Sequence, residues 1–285
     1  MGEAVAVNSR SNLLLLGDQW QGGWTDGQIK LHFASRAGKG TPIVFIPGLA
    51  SSLVSFKPLL ENIVTDRPLV IMEPRGSGLS DKPAGLYSVE MMAADVLAVA
   101  ENAKLTRPFD LVGVSMGGMI AQSFAITKPA DVRNLCLISS HASAHAWTRR
   151  LFDLRIALVE NVGANRQAEL VGFMLASPEY EERTTGGLDS LLEFHAKQSY
   201  ANEAYRAQLM FCREFNVLDD LARLDAHILS IGATEDVLIP PAASKQIALA
   251  CPNGRYAEIS EATHLLLTER PDELVKVMVI HGFLD

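Results

Sequence analysis

The sequence predicts an α/β fold, a doubly wound and mostly parallel sheet of eight strands with a helical cap inserted after the sixth. Three observations lead there. Short, almost wholly apolar runs recur along the chain, as parallel strands covered on both faces require. Helical patterns separate them, in the βαβ alternation of such sheets. Between residues 141 and 218 that alternation stops, and only helices and loops are readable.

Taken in order, residues 13–16 and 29–33 read as strands, with Asp26-Gly27 supplying a hairpin turn between them. The apolar runs at 43–46, 69–72, 109–112 and 135–138 read as strands three to six. A helix over 88–103 opens at Ser88, a suitable N-cap, with Glu90 in the first turn where the helix dipole favours an acid. A second, over 116–127, ends at Lys128-Pro129. After the charge-rich 141–218 stretch come a strand at 228–231, a helix near 241–250 and a short strand at 256–259. A last helix starts at Pro271 and carries Leu274, Val277, Met278 and His281 on one face. The expected organisation is a core from 1–140, a cap from 141–218, and the rest of the core from 219–285.

Composition narrows the partners. The 285 residues hold 25 Lys+Arg against 33 Asp+Glu, a net charge of −8, and no basic run exceeds Arg149-Arg150. Nucleic acid is a poor match for that surface, and a neutral or apolar small molecule is a better one. Cys136, Cys212 and Cys251 are odd in number and show no C-x-x-C spacing, so they read as reduced thiols rather than disulfides or metal ligands. The N-terminus lacks the features of a secretion signal, and the leucine run at 13–16 is too short to cross a bilayer. A cytoplasmic location without membrane contact is expected. Oligomeric state is not readable.

The chemistry gathers at Gly113-Val114-Ser115-Met116-Gly117, which follows an apolar strand and opens a helix. A serine on that turn projects its Oγ from the sheet edge, and the flanking glycines let strand and helix approach closely. A serine hydroxyl is a weak nucleophile, so it needs a base and the base needs an orienting acid. Asp236, in the loop after a late strand, is the candidate acid, with its neighbour Glu235 as competitor. His264, after the last strand, is the candidate base; His141 and His145 are the histidines hardest to dismiss. Two backbone N–H groups, those of Met116 and Leu49, are the candidate oxyanion donors. His141, Trp147, Phe173 and Phe211 are candidates for a substrate pocket, with Phe152, Met174 and Phe194 beside them.

These residues resemble the α/β-hydrolase superfamily along nearly the whole chain. The resemblance rests on Pro47-Gly48-Leu49, on Pro74-Arg75-Gly76-Ser77-Gly78-Leu79-Ser80, on the serine turn, on the Gly232–Pro240 loop and on Thr263-His264. The family more often has His-Gly in place of Pro47-Gly48, Gly in place of Thr263, and Asp in place of Glu73. Within it, the serine turn and the segment after Thr263 look most like enol-lactonases, arylesterases and carbon–carbon bond hydrolases. Epoxide hydrolases and haloalkane dehalogenases would require Asp at position 115. The resemblance implies a serine esterase or lactonase that works without metal or organic cofactor. Carbon–carbon cleavage, cofactor-free perhydrolase or haloperoxidase chemistry, and a low-turnover ligand receptor are the alternatives on the same fold.

Overall fold

The computed structural model describes residues 13–176, 180, 186–197 and 200–284. Its eight strands are β1 (Gln21–Trp24), β2 (His32–Arg36), β3 (Ile43–Ile46), β4 (Leu69–Met72), β5 (Phe109–Val114), β6 (Val132–Ile138), β7 (His227–Ala233) and β8 (Gly254–Ile259). They form one sheet in the order β1-β2-β4-β3-β5-β6-β7-β8. β2 runs antiparallel to both β1 and β4, and every other pairing is parallel.

The apolar runs form strands because both sheet faces are covered. In β3, Val44 and Ile46 join one buried cluster while Ile43 and Phe45 join the other. β4 divides in the same way, with Val70 and Met72 on one face and Leu69 and Ile71 on the other. This is the two-residue period of a strand, with apolar side chains required at every position. The helices α1 (Val89–Asn102) and α2 (Met116–Thr127) bury their apolar stripes in the first cluster, and α8 (Pro271–Ile280) buries Leu274 and Met278 in the second. Ser88 caps α1 by accepting from the Met91 N–H at 3.2 Å.

Among the described residues, α3 (Ala146–Val162), α4 (Ala164–Leu175), α5 (Gly187–Lys197) and α6 (Asn202–Glu214) lie between β6 and β7. The helix α7 (Pro241–Ala250) follows β7. No helix among the described residues is long and apolar enough to cross a membrane.

The first two strands correct the sequence reading. Residues 13–16 form a helical turn, and the edge strand is Gln21–Trp24. That strand is masked in the sequence by Gly22-Gly23, which carry no apolar alternation. A Cβ on Gly23 would sit 2.4 Å from the Phe33 ring, so the glycine is there to let the ring close against β1. β2 begins at His32 rather than residue 29, because Thr25 Oγ1 donates to the Ile29 carbonyl (2.9 Å) and accepts from the Leu31 N–H (2.9 Å). Those bonds hold residues 25–31 in the loop.

Strand order fixes where a site can form. The chain leaves β3 for β4 on one side and returns to β5 on the other, so the winding direction reverses between β3 and β5. A crevice opens outside the carboxyl ends of strands at such a switch point. There Ile46 pairs with Gly113, and α2 passes so close that a Cβ on Gly117 would lie 1.9 Å from the Ile46 carbonyl oxygen. We expect Gly117→Ala to destabilise the fold by about 2 kcal/mol or more, at the upper side of ordinary overpacking. Urea unfolding of the two proteins measures it, and an unchanged midpoint would contradict this packing.

Candidate active site

Ser115 occupies the turn between β5 and α2 with φ 54° and ψ −119°, a conformation that L-residues seldom adopt. The turn is held from several sides. The Ser115 N–H donates to the Ile138 carbonyl of β6 (2.8 Å), and the Ser115 carbonyl accepts from Ser140 Oγ and from the Gly118 N–H, both at 2.9 Å. Gly113 and Gly118 are required by proximity, since a Cβ on Gly113 would lie 2.4 Å from the Gly117 carbonyl and one on Gly118 2.6 Å from Ser140.

The loops after β7 and β8 are stitched together by Thr234 N–H to the Ile259 carbonyl (3.1 Å) and Glu235 N–H to the Ala262 carbonyl (2.9 Å). That brings Asp236 to His264, whose Nδ1 lies 2.7 Å from Asp236 Oδ2. The other carboxylate oxygen of the buried Asp236 accepts from the Leu238 and Ile239 N–H groups at 2.9 and 2.8 Å. The acid is fixed from two directions, and it aims one lone pair at the imidazole. With Nδ1–H donating to Asp236, Nε2 is left as the free acceptor. Glu235 makes no such contact with His264. Thr263 also has a part here, because its N–H and Oγ1 both donate to Glu269 Oε2 (2.6 and 2.9 Å), anchoring the loop just ahead of His264.

Ser115 and His264 line one cleft of about 320 Å³, together with Gly48, Leu49 and Val114. Gly48 lies over the serine, where a Cβ would come within 3.4 Å of Ser115 Cβ. Met116 is the first residue of α2, so its N–H is among those a helix cannot satisfy internally. The loop carrying Leu49 is braced from the insert by the buried Gln208 of α6. Gln208 Oε1 accepts from the Ala50 N–H (3.0 Å), while Nε2 donates to the Arg75 carbonyl and to Ser77 Oγ, both at 2.8 Å. Glu73 binds the same loops from below, accepting from the N–H groups of Leu53 (3.1 Å) and Leu79 (2.7 Å) and lying 3.0 Å from His32 Nδ1. Gly78 is forced by this carboxylate, because a Cβ there would lie 2.1 Å from it.

The four pocket candidates are corrected by the structure, since none lines this cleft. Trp147 and Phe173 are 64% and 65% exposed on the outer side of the insert, with Met174 also exposed. Phe211 is buried against Phe215. His141 is buried too, 3.0 Å from the Cys212 carbonyl through Nε2 and flanked by the rings of Phe152 and Phe215. Burial pushes its pKa down to about 4, so the ring is neutral near pH 7. His145 is exposed at the start of α3, and the side chain of Phe194 lies outside the described residues.

The insert lines the cleft instead with Ala168, Val171 and Leu175 of α4, with Arg155 of α3 and with Tyr205 of α6. Sequence reasoning missed them by following aromatic size. The available signal was periodicity. Phe152, Arg155, Ile156 and Val159 form the buried stripe of α3, and an arginine in that stripe is the residue to notice.

A doubly wound sheet with a strained serine at its switch point and an Asp–His pair beside it defines a class, and residues 41–271 match the alpha/beta hydrolase fold family. The chain belongs to that family. It is 27% identical, over 85% of its length and 94% of the relative's, to a Mycobacterium tuberculosis protein named as a non-heme bromoperoxidase, BpoC. It is 24% identical, over 88% of its length and 92% of the relative's, to an Azorhizobium caulinodans protein named as the carbamate hydrolase RutD. Among solved structures, the enol-lactonase of Burkholderia xenovorans LB400 superposes with a TM-score of 0.82 at 22% identity, over 92% of this chain and 99% of that one.

The state of His141 gives a testable pH dependence. Its folded pKa lies below the unfolded value of about 6.5, so its contribution to stability is full above pH 6.5 and is lost as pH falls toward 4. Between pH 6.5 and 5, above most carboxylate titrations, the melting temperature should fall more steeply for the wild type than for His141→Gln. Parallel profiles would show that the ring does not titrate as its burial requires.

Proposed function

We propose that the protein is a serine hydrolase that cleaves a carboxylic ester or lactone of a small substrate through Ser115, His264 and Asp236. One observation carries this reading: a carboxylate locked by two backbone donors orients an imidazole, and that imidazole opens onto the same cleft as the strained serine. In the proposed reaction Ser115 Oγ attacks the carbonyl carbon as His264 Nε2 takes its proton. The N–H groups of Met116 and Leu49 stabilise the oxyanion. Collapse expels the alcohol oxygen, which takes the proton from His264; in a lactone it stays tethered to the acyl group. Water then gives a proton to His264 and attacks the acyl-enzyme, and Ser115 regains its proton as the acid leaves.

The names of the relatives favour a second use of the same intermediate. Hydrogen peroxide attacking the acyl-enzyme in place of water would release a peracid, and the similarity to the protein named as a bromoperoxidase supports that variant. Similarity to the protein named as a carbamate hydrolase extends the range of carbonyls that the serine could attack.

Wild type should hydrolyse p-nitrophenyl esters or simple lactones, and Ser115→Ala should lower kcat by about 10⁴-fold or more, as loss of a triad nucleophile does. A variant that keeps its rate would overturn the assignment. Gln208 gives a subtler expectation, because Gln208→Leu unties the loop that carries Leu49. A small displacement of a positioned group costs up to about 10²-fold in rate, so kcat should fall about tenfold or more with KM moving less. Loss confined to KM would assign Gln208 to substrate binding instead.

A further inference from the structure

We propose that Arg155 forms an anion-binding subsite in the cleft, so that the substrate carries a carboxylate at the end remote from its scissile carbonyl. The inference rests on the serine-hydrolase reading and adds to it the substrate's charge.

Arg155 is only 6% exposed, yet it lines the same cleft as Ser115 and His264. A guanidinium has five N–H donors and is always charged, so burying it without a counter-ion is unfavourable. The other buried arginines of the described chain meet that demand with acids. Arg67 pairs with Asp110, and Arg75 grips Asp95 with two bonds of 2.6 Å. Arg155 has no carboxylate within 4 Å among the described residues. Its Nε has no hydrogen-bond partner, and Nη2 makes one long contact of 3.5 Å with Tyr205 Oη. The Phe152 ring, 5.7 Å from the guanidinium carbon, supplies a face and no acceptor.

The described acids on its own helix are engaged elsewhere. On the same helix, Asp153 pairs with Arg213 and Glu160 with Arg206, joining α3 to α6 along their exposed sides. Among the described residues, Arg155 is left inward without a paired acid, its side chain forming part of the cleft wall. Tyr205 Oη accepts from Arg155, so its own proton remains available to a second acceptor. A planar fork with a hydroxyl beside it matches a carboxylate, which can take two parallel N–H bonds. The remaining insert lining, Ala168, Val171 and Leu175, is apolar. The whole cleft has the volume of roughly ten waters. These features describe a short, apolar-bodied molecule with an ester or lactone at one end and a carboxylate at the other.

A matched pair of substrates tests this: mono-p-nitrophenyl glutarate, and p-nitrophenyl valerate, in which a methyl replaces the distal carboxylate. Wild type should favour the glutarate ester in kcat/KM by about tenfold or more. A charged hydrogen-bonded contact of this kind corresponds to about 10- to 100-fold, so Arg155→Gln should reduce the glutarate-to-valerate ratio by that factor. Arg155→Lys, which keeps the charge but loses the fork, should restore part of it, and Tyr205→Phe should reduce the ratio a few-fold. A ratio that is near one in wild type, or unchanged by Arg155→Gln, overturns the subsite while leaving the hydrolase reading intact. If neither these esters nor simple lactones are turned over, the hydrolase reading fails; wherever neither ester is turned over, calorimetry with free glutarate decides the subsite separately. Binding to wild type that is lost in Arg155→Gln supports it, and no binding to wild type overturns it. If Arg155→Gln does not fold, Arg155→Lys and Tyr205→Phe carry the same comparison.

Discussion

The structure turns on one close approach, that of α2 to the ends of β3 and β5. Ser115 can take its strained backbone angles only if the helix after it starts immediately beneath the strand before it. Helix and strand come that close only because Gly113, Gly117 and Gly118 present no side chains to each other or to Ile46 and Ser140. A residue held at such a conformation costs on the order of 1–3 kcal/mol, which the surrounding contacts must over-determine. They do so through neighbours on both sides, from Ile138 and Ser140 to the Ile46 carbonyl at the end of β3. What results is a hydroxyl raised above the sheet edge at the point where the strand order reverses. The other site groups are placed relative to it.

From this fixed point outward, the loops after β3, β4 and β6 are tied to their surroundings by buried polar side chains. Glu73 ties the β3 and β4 loops from below, and Gln208 ties them from above while belonging to the insert. His141 connects the end of β6 to α6 through the Cys212 carbonyl. The helices over the cleft are thus bonded to the loops that shape it, and a displacement of α6 reaches the loop of Leu49 through a single amide. Gln208 and His141 make these ties without burying a charge, while Glu73 makes its own by accepting from the backbone N–H groups of Leu53 and Leu79.

The sequence made the sheet legible from β3 onward because parallel strands buried on both faces must be apolar throughout. It concealed β1, where two glycines and an edge position remove that requirement, and residues 13–16 misled because leucine suits a helical turn equally well. Ser115, Asp236 and His264 were readable because local turn chemistry and their order after strands dictate their places. Thr263, where the family more often has glycine, proved to anchor its loop through Glu269. The cleft wall was not readable in the same way. Trp147 and Phe173 are large and apolar, but the face a helix turns inward is set by its periodicity, and theirs turn outward. Arg155 and Gln208 could have been found by that criterion, as polar residues at positions where α3 and α6 are otherwise buried.

Charge at two scales separates encounter from selection. The chain's net charge of −8 opposes the approach of an anion, but at physiological ionic strength that repulsion is screened beyond about 8 Å. Inside the cleft the balance reverses, because the inward guanidinium of Arg155 sits among apolar walls where screening by salt is weak. The acids nearest to it in sequence face outward and are paired across the helix interface. The same pairing that holds α3 against α6 therefore leaves the arginine without an acidic partner among the described residues. An acidic exterior and a cationic recess are then two consequences of one arrangement of helices, and a small anion would be recognised only after it has entered.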